Sequence, residues 1–319
     1  IFIIFNIMES YYIFYGLIII IALLIIYKYF HSSKHTELSD INSNWKNNGF
    51  CKVSNYLTDE LEYINSHISF VEREFPNFIN TYFNNNIVRN VKRKTVELIR
   101  DKHNNPYPFN KEKQLHNKDI IPFSSLYEID LEDNILSDKV MDLYNRDAYF
   151  YDKSLNKKEF KDFLNKFTEK LRNDYPNIIT KDLDVFHVLC FYIYPGGEKQ
   201  EIHFDKFYLL NKESGGNDNK LLNSVQVFIP LHDTPIEQGP TIFYKRNMID
   251  YALLKSNGLV SRIDEKNINN PELLNMFGKA KSQERMDKGD IIFMDKDVYH
   301  QGGENKTQNI RKTLLIQFV

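Results

Sequence analysis

The chain has 319 residues, 42% of them hydrophobic and 14% aromatic, enough to bury a substantial core, so wholesale disorder is excluded. Its 41 basic and 43 acidic side chains leave a net charge of −2, which gives no electrostatic footprint for nucleic acid, and none is expected as a partner. The only cysteines, Cys51 and Cys190, lie far apart, which excludes a disulfide-stapled scaffold and a cysteine-rich zinc module. Any metal must therefore be held by His and carboxylate.

Residues 1–9 read as a short extension, within which Met8 is a candidate start. From Ser10 to Tyr27 the chain runs SYYIFYGLIIIIALLIIY without a charge, and Tyr29 and Phe30 follow Lys28. At about 1.5 Å per residue, a helix of this length nearly matches the roughly 30 Å hydrocarbon core of a bilayer. Tyr11, Tyr12, Tyr15, Tyr27 and Tyr29 gather at its two ends, as interfacial aromatics do. The run is longer than a signal-peptide core, and no basic region precedes it. The expectation is a single-pass transmembrane helix over residues 10–30. Lys28 and Lys34 follow the span while only Glu9 precedes it, so the positive-inside bias puts the C-terminal part in the cytosol. The sequon Asn305-Lys306-Thr307 would matter only if that part were luminal.

Residues 31–44 are polar and read as a linker, with one globular domain from 45 to 319. In that domain Phe50-Cys51-Lys52-Val53 predicts a short strand, and Thr58 as N-cap predicts a helix from Asp59 to about Glu74. Leu61 stands where a capping box would want Glu or Gln, so the box is incomplete. Residues 76–155 show no clean period and are expected to form irregular segments and short helices. Phe160, Phe163, Leu164, Phe167 and Leu171 repeat at helical spacing before Pro176 and predict an amphipathic core helix. After Lys181 the texture becomes β-rich, with strands expected at 185–194, 225–231, 241–244, 290–294 and 311–319. Residues 45–180 thus read as a helical or irregular part and 181–319 as an antiparallel sandwich or barrel. Lys212 to Asn219 reads as a polar loop.

His203-Phe204-Asp205 places two candidate ligands at i and i+2, on the same face if the segment is a strand. His300 follows a strand-like run from Gly289 to Met294. Two His and one carboxylate make the facial triad of non-haem Fe(II) oxygenases, which leaves one side of the metal open to a chelating cosubstrate and dioxygen. Arg311 lies eleven residues beyond His300, and Thr313 shares its face. A cosubstrate such as 2-oxoglutarate needs a cation for its far carboxylate, and Arg offers a bidentate fork with Thr an added hydroxyl. Lys312 should face the other way. His187, early in an apolar strand, and His232, at a strand end, are competing ligands, but neither is paired with an Arg at matching distance.

These residues resemble the Fe(II)- and 2-oxoglutarate-dependent dioxygenases, and within them the phytanoyl-CoA dioxygenase-like group. The resemblance rests on Trp45-Lys46-Asn47-Asn48-Gly49-Phe50 with the helix after Thr58, and on Tyr194-Pro195-Gly196-Gly197 before His203 and Asp205. Glu237-Gln238-Gly239-Pro240-Thr241, and Gly289-Asp290 before His300 and Arg311, complete it. It spans residues 45–319 and is thin between 76 and 180. It implies a double-stranded β-helix, or jelly roll, backed by helices, with iron on His203, Asp205 and His300, and 2-oxoglutarate on Arg311 and Thr313. Tyr192 is a further candidate for touching the cosubstrate. The implied cofactors are Fe(II), 2-oxoglutarate and O2, with ascorbate as an accessory reductant.

The implied reaction hydroxylates a C–H bond with release of succinate and CO2. A small molecule, a lipid and a protein side chain all remain open as substrate. Tyr244-Lys245-Arg246-Asn247 stands where the group commonly has Pro-Gly-Ser-His. Gly239 to Phe243 is also similar to the prolyl 4-hydroxylase group, whose clamp residue is usually Lys. Related halogenases carry a small residue at the position of Asp205. Besides a protein hydroxylase of the prolyl 4-hydroxylase kind, a non-catalytic metal-binding jelly roll stands as an alternative.

Overall fold

Strands that alternate between two buried faces need cover on both sides, and here helices supply the outer cover. The computed structural model describes residues 38–74, 93–100, 148–151, 157–205, 208–209, 220–221, 223–259, 262–265 and 268–319. The transmembrane segment expected at 10–30 lies outside them, as does the loop at 212–219. Among the described residues no helix is long and apolar enough to cross a membrane. The chain divides into two compact units, Ile1–Asn44 and Trp45–Val319. In the first, residues 38–44 are helical where an irregular linker was expected.

The strands of the second unit begin with β1 (Phe50–Val53), β2 (Arg93–Arg100), β3 (Ala148–Tyr151), β4 (Val185–Ile193) and β5 (Ile202–His203). A short hairpin, β6 (Tyr208–Leu209) with β7 (Lys220–Leu221), precedes β8 (Val225–Pro230), β9 (Ile242–Tyr244) and β10 (Arg262–Ile263). The last are β11 (Lys281–Ser282), β12 (Ile291–Asp295), β13 (His300–Gln301) and β14 (Arg311–Phe318). A seven-stranded sheet runs in the order β1-β12-β8-β14-β4-β2-β3, and a five-stranded sheet in the order β10-β5-β13-β9-β11.

Register fixes which side chains face inward. Leu189 of β4 lies opposite Leu315 of β14, which lies opposite Phe228 of β8, which lies opposite Ile292 of β12. These four residues join Phe243 of the smaller sheet in one buried apolar cluster, so the two sheets pack face to face as a jelly roll does. The rings of Phe228 and Phe243 meet edge to face at 5.5 Å, and Phe50 stacks on Phe243 at 5.1 Å.

The outer face of the large sheet is covered by α1 (Asp59–Glu74) and α2 (Lys158–Asp174). Tyr175, just after α2, lies 5.0 Å from Phe293 of β12, and Glu72 of α1 pairs with Lys312 of β14 at 2.6 Å. Each helix sends one apolar stripe into the molecule: Leu61, Ile64, Ile68 and Val71 from α1, and Phe160, Leu164, Phe167 and Leu171 from α2. The smaller sheet is backed by α3 (Tyr251–Ser256) and α4 (Pro271–Ala280), whose Leu254, Leu273 and Phe277 cluster with Ile202, Ile242 and Tyr244.

Asp250 and Asn270 accept hydrogen bonds from the first turns of α3 and α4, and Pro271 occupies a first-turn position of α4. These two helices fall between the strands expected at 241–244 and 290–294, where no element is predicted from the sequence. The larger correction concerns residues 76–155, expected as irregular segments and short helices. Their described parts are two strands that extend the large sheet beyond β4. With β1 on the opposite edge, the jelly roll is therefore built from both halves of the domain.

Arg246 ties the entry of the domain to its core. Its Nη1 reaches Asp295 at 2.6 Å and Asp297 at 3.0 Å, while Nη2 donates to the carbonyls of Trp45 and Lys46. A structural latch thus accounts for one of the residues that depart from the group's usual Pro-Gly-Ser-His.

His67 of α1 stacks on Phe160 of α2 at 3.9 Å, and its Nε2 is buried with no partner among the described residues. Burial, then the nearby Lys157 charge, holds its pKa down to about 4 from an ordinary value near 6.5. Between those values the unfolded chain binds a proton that the folded chain excludes, so stability falls as pH drops through this window. With solvent screening of the partly exposed ring, the loss should approach about 1–2 kcal/mol at the acid end. Denaturant unfolding should show that His67→Phe removes this component, its stability relative to wild type rising steadily from pH 6.5 to pH 4.

Candidate metal centre

The smaller sheet brings its two histidines together by register. His203 on β5 pairs directly with His300 on β13, and their ring centroids are 4.4 Å apart. Asp205 lies two residues beyond the end of β5. Ligand atoms of His203, Asp205 and His300 all lie within 4.8 Å of one another. His300 Nε2 stands 3.6 Å from Asp205 Oδ2.

The orientation of both rings is set from behind. His203 Nδ1 contacts the Glu201 carbonyl at 2.8 Å, and His300 Nδ1 contacts the Val298 carbonyl at 3.2 Å. A carbonyl only accepts, so each Nδ1 carries the proton and each Nε2 keeps its lone pair for a metal. Gln226 on β8 donates from Nε2 to Asp205 Oδ2 at 2.8 Å. Two neutral imidazoles and one carboxylate fit a divalent first-row metal such as Fe(II).

Arg311 opens β14 on the inner face, with Thr313 two residues on. Arg311 is only 3% exposed, and its Nε has no partner among the described residues. A weak contact of 3.5 Å runs from its Nη1 to the uncharged Gln238 carbonyl. Burial first, then the positive charge of Arg93, pushes its pKa well below the ordinary value. A guanidinium does not lose its proton in proteins, so the penalty appears as a free site that favours an anion.

Arg93 is the residue sequence reasoning missed. It lies opposite Ile193, which lies opposite Arg311, so the two arginines flank Ile193 in one row on the inner face. Arg93 also donates to the Glu198 carbonyl at 2.9 Å. Both guanidiniums are buried.

The turns beneath this clamp are locked together. Gly239 has φ 70°, and a Cβ there would sit 2.2 Å from the Glu304 carbonyl oxygen, which explains the glycine of the Glu237–Pro240 turn. Asn305 is fully buried, its Nδ2 donating to the Ile193 and Asn309 carbonyls at 2.9 and 2.8 Å. The sequon asparagine is thus a structural bracket, inaccessible to modification in the folded chain.

Tyr192 is not at this site. It shares a register row with Lys94 and Lys312, and the Lys312 ammonium lies 5.8 Å from its ring. Lys312 points outward to Glu72 as expected, so Tyr192 faces the helices, and Phe191 and Ile193 are the β4 residues on the site side. The competing histidines have other roles. His232 Nε2 accepts from the Lys312 backbone N–H at 3.0 Å, and His187 Nδ1 lies 3.3 Å from Gln317 Oε1. Burial raises the thiol pKa of Cys51 and Cys190 to about 12, which removes them as ligands or nucleophiles at neutral pH.

Fold and site together describe a jelly-roll domain with a two-His, one-carboxylate group that could hold a metal and a row of buried arginines on the same inner face. Residues 45–313 match the phytanoyl-CoA dioxygenase (PhyH) family, and the chain belongs to it. Among curated protein sequences none matches significantly. Among solved structures the chain is similar to HygX from Streptomyces hygroscopicus with nickel and 2-oxoglutarate bound, at 10% identity and a TM-score of 0.47, covering 88% of this chain and 85% of that one. It is also similar to the epimerase SnoN from nogalamycin biosynthesis, at 11% identity and 0.47, covering 89% and 83%. AviO1 from Streptomyces viridochromogenes Tue57 follows at 11% identity and 0.43, covering 88% and 94%. At these identities the likenesses assign no chemistry to this chain.

Titration with Co(II), followed by visible absorbance, should give one tight site per chain in the wild type. Asp205→Ala should weaken it by about a hundredfold or more, and Gln226→Leu by roughly tenfold through the lost second-sphere bond.

Proposed function

We propose that the protein is an Fe(II)- and 2-oxoglutarate-dependent dioxygenase that hydroxylates a C–H bond and releases succinate and CO2. The observation that carries this reading is a facial donor set sharing one inner face with a buried arginine that has no counter-ion among the described residues. When bound, metal and cosubstrate supply the oxidising chemistry.

The chain's own residues do the rest. His203 and His300 present neutral Nε2 donors, and Asp205, held by Gln226, brings the negative charge. Their grouping on one side leaves the opposite side for chelation and for dioxygen. Arg311 and Arg93 would grip the far carboxylate of 2-oxoglutarate, with Thr313 adding a hydroxyl, which fixes the cosubstrate's orientation. Phe228 and Phe243 form an apolar wall beside His300. An Arg at the clamp favours this reading over a prolyl 4-hydroxylase-like one. A non-catalytic module would have no need to keep donors, clamp and orienting bonds in register. The apolar segment at 10–30, uncharged up to Tyr27, would tether the domain to a bilayer as a single-pass anchor, with the domain on the cytosolic side.

Purified without oxygen, loaded with Fe(II) and then exposed to air with 2-oxoglutarate and ascorbate, the protein should release succinate slowly. Asp205→Ala should release none. Arg311→Ala should raise the KM for 2-oxoglutarate by roughly a hundredfold. An unchanged cosubstrate requirement in Arg311→Ala would defeat the clamp assignment.

A further inference from the structure

Beyond the apolar row of Leu189, Leu315, Phe228 and Ile292, the next inward row along the large sheet is polar. It carries His187, Gln317 and Gln226, followed by Met294. All three polar residues are buried, and Gln226 is 0% exposed. His187 and Gln317 meet at 3.3 Å, whereas a buried polar atom left without a partner loses the hydration it gave up.

Gln226 is the informative member. Its Nε2 is spent on Asp205, and its Oε1 is buried with no partner among the described residues. Turning the amide over does not resolve this, because Oε1 would then meet the Asp205 carboxylate, acceptor against acceptor. The two amide heads are bonded to one carbon, so the vacant acceptor lies within roughly 5 Å of a metal-ligand oxygen.

Its position relative to the clamp also matters. Gln317 stands six residues beyond Arg311 on the same strand and face, roughly 20 Å away along β14. The metal donors lie toward the Gln317 end, with the His300 ring 6.2 Å from Phe228 and Asp205 bonded to Gln226, the register partner of Gln317. A cosubstrate gripped at the clamp would approach the donors from the Arg311 end, away from the row of Gln226 and Gln317.

We infer that Gln226, flanked by Gln317 and His187, is the substrate-recognition edge of this site. Its vacant carbonyl accepts a hydrogen bond from a hydroxyl or protonated amine, and the substrate is a hydroxylated or aminated small molecule in place of a fatty acyl chain. This rests on the dioxygenase reading above and names the substrate class for it.

The test uses the full chain loaded with Co(II) and 2-oxoglutarate, and two probes: glucosamine, which carries hydroxyl and ammonium donors, and octanoate. Binding is followed by the visible spectrum of the cobalt and by calorimetry. Each variant is studied at cobalt saturation, set by its own titration. Glucosamine should bind the wild type and bind Gln226→Met about tenfold more weakly, with a smaller loss in Gln317→Leu, which leaves the bond to Asp205 in place. Failure of glucosamine to bind, tighter binding of octanoate, or equal glucosamine affinity in Gln226→Met would each overturn the inference. Failure of the wild type to hold Co(II) and 2-oxoglutarate would overturn the dioxygenase reading instead.

Discussion

The pairing of His203 with His300 across two very short antiparallel strands is the constraint on which the site depends. It sets two imidazoles side by side before any metal arrives, and backbone carbonyls behind each ring decide which nitrogen is available. The rest of the molecule serves this pair. The large sheet supplies a rigid wall that carries Gln226 and Arg311 at fixed separations, and the apolar cluster between the sheets fixes the distance from wall to histidines. Helices on the two outer faces keep each sheet buried on both sides, so neither can shift without disturbing a packed core.

Charge placement gives the site its direction along the strands. Arg93 and Arg311 concentrate two buried positive charges at one end of the inner face, and Asp205 places a negative one near the other. An anion that carries an extra chelating group can satisfy both ends at once, its far carboxylate at the arginines and its near end at the metal. In the free protein Arg311 carries a desolvation cost, which a bound anion would relieve.

Much of this was legible in the sequence because spacing along strands maps directly onto faces. Arg311 and Thr313 at i and i+2 do share the inner face, and Lys312 between them does turn outward. His203, Asp205 and His300 converge as their order suggested. The strands around them appear within a residue or two of where their apolar runs placed them, and both long helices follow their apolar stripes.

What the sequence hid has physical causes. Tyr192 was placed on the wrong face because an isolated strand does not reveal its phase; only the pairing of Ile193 with Arg311 fixes it, and a shift of one residue exchanges the faces. Arg93 was invisible because β2 sits in a stretch without clean alternation and gains its meaning from β4 alongside. Asp205 acts from beyond a strand end that sequence spacing assigned to the strand itself. Gln226 lay inside a run that read as plain core, and its role appears only when the partner of each amide head is traced.

The most direct test of the central claim is anaerobic absorption spectroscopy of the Fe(II)-loaded protein as 2-oxoglutarate is added. Chelation of the metal by the cosubstrate should produce a visible charge-transfer band in the wild type, no band in Asp205→Ala, and in Arg311→Leu a band that needs roughly a hundredfold more 2-oxoglutarate. A wild type that binds Fe(II) but develops no band at saturating 2-oxoglutarate, or an Arg311→Leu protein that titrates like the wild type, would contradict the account.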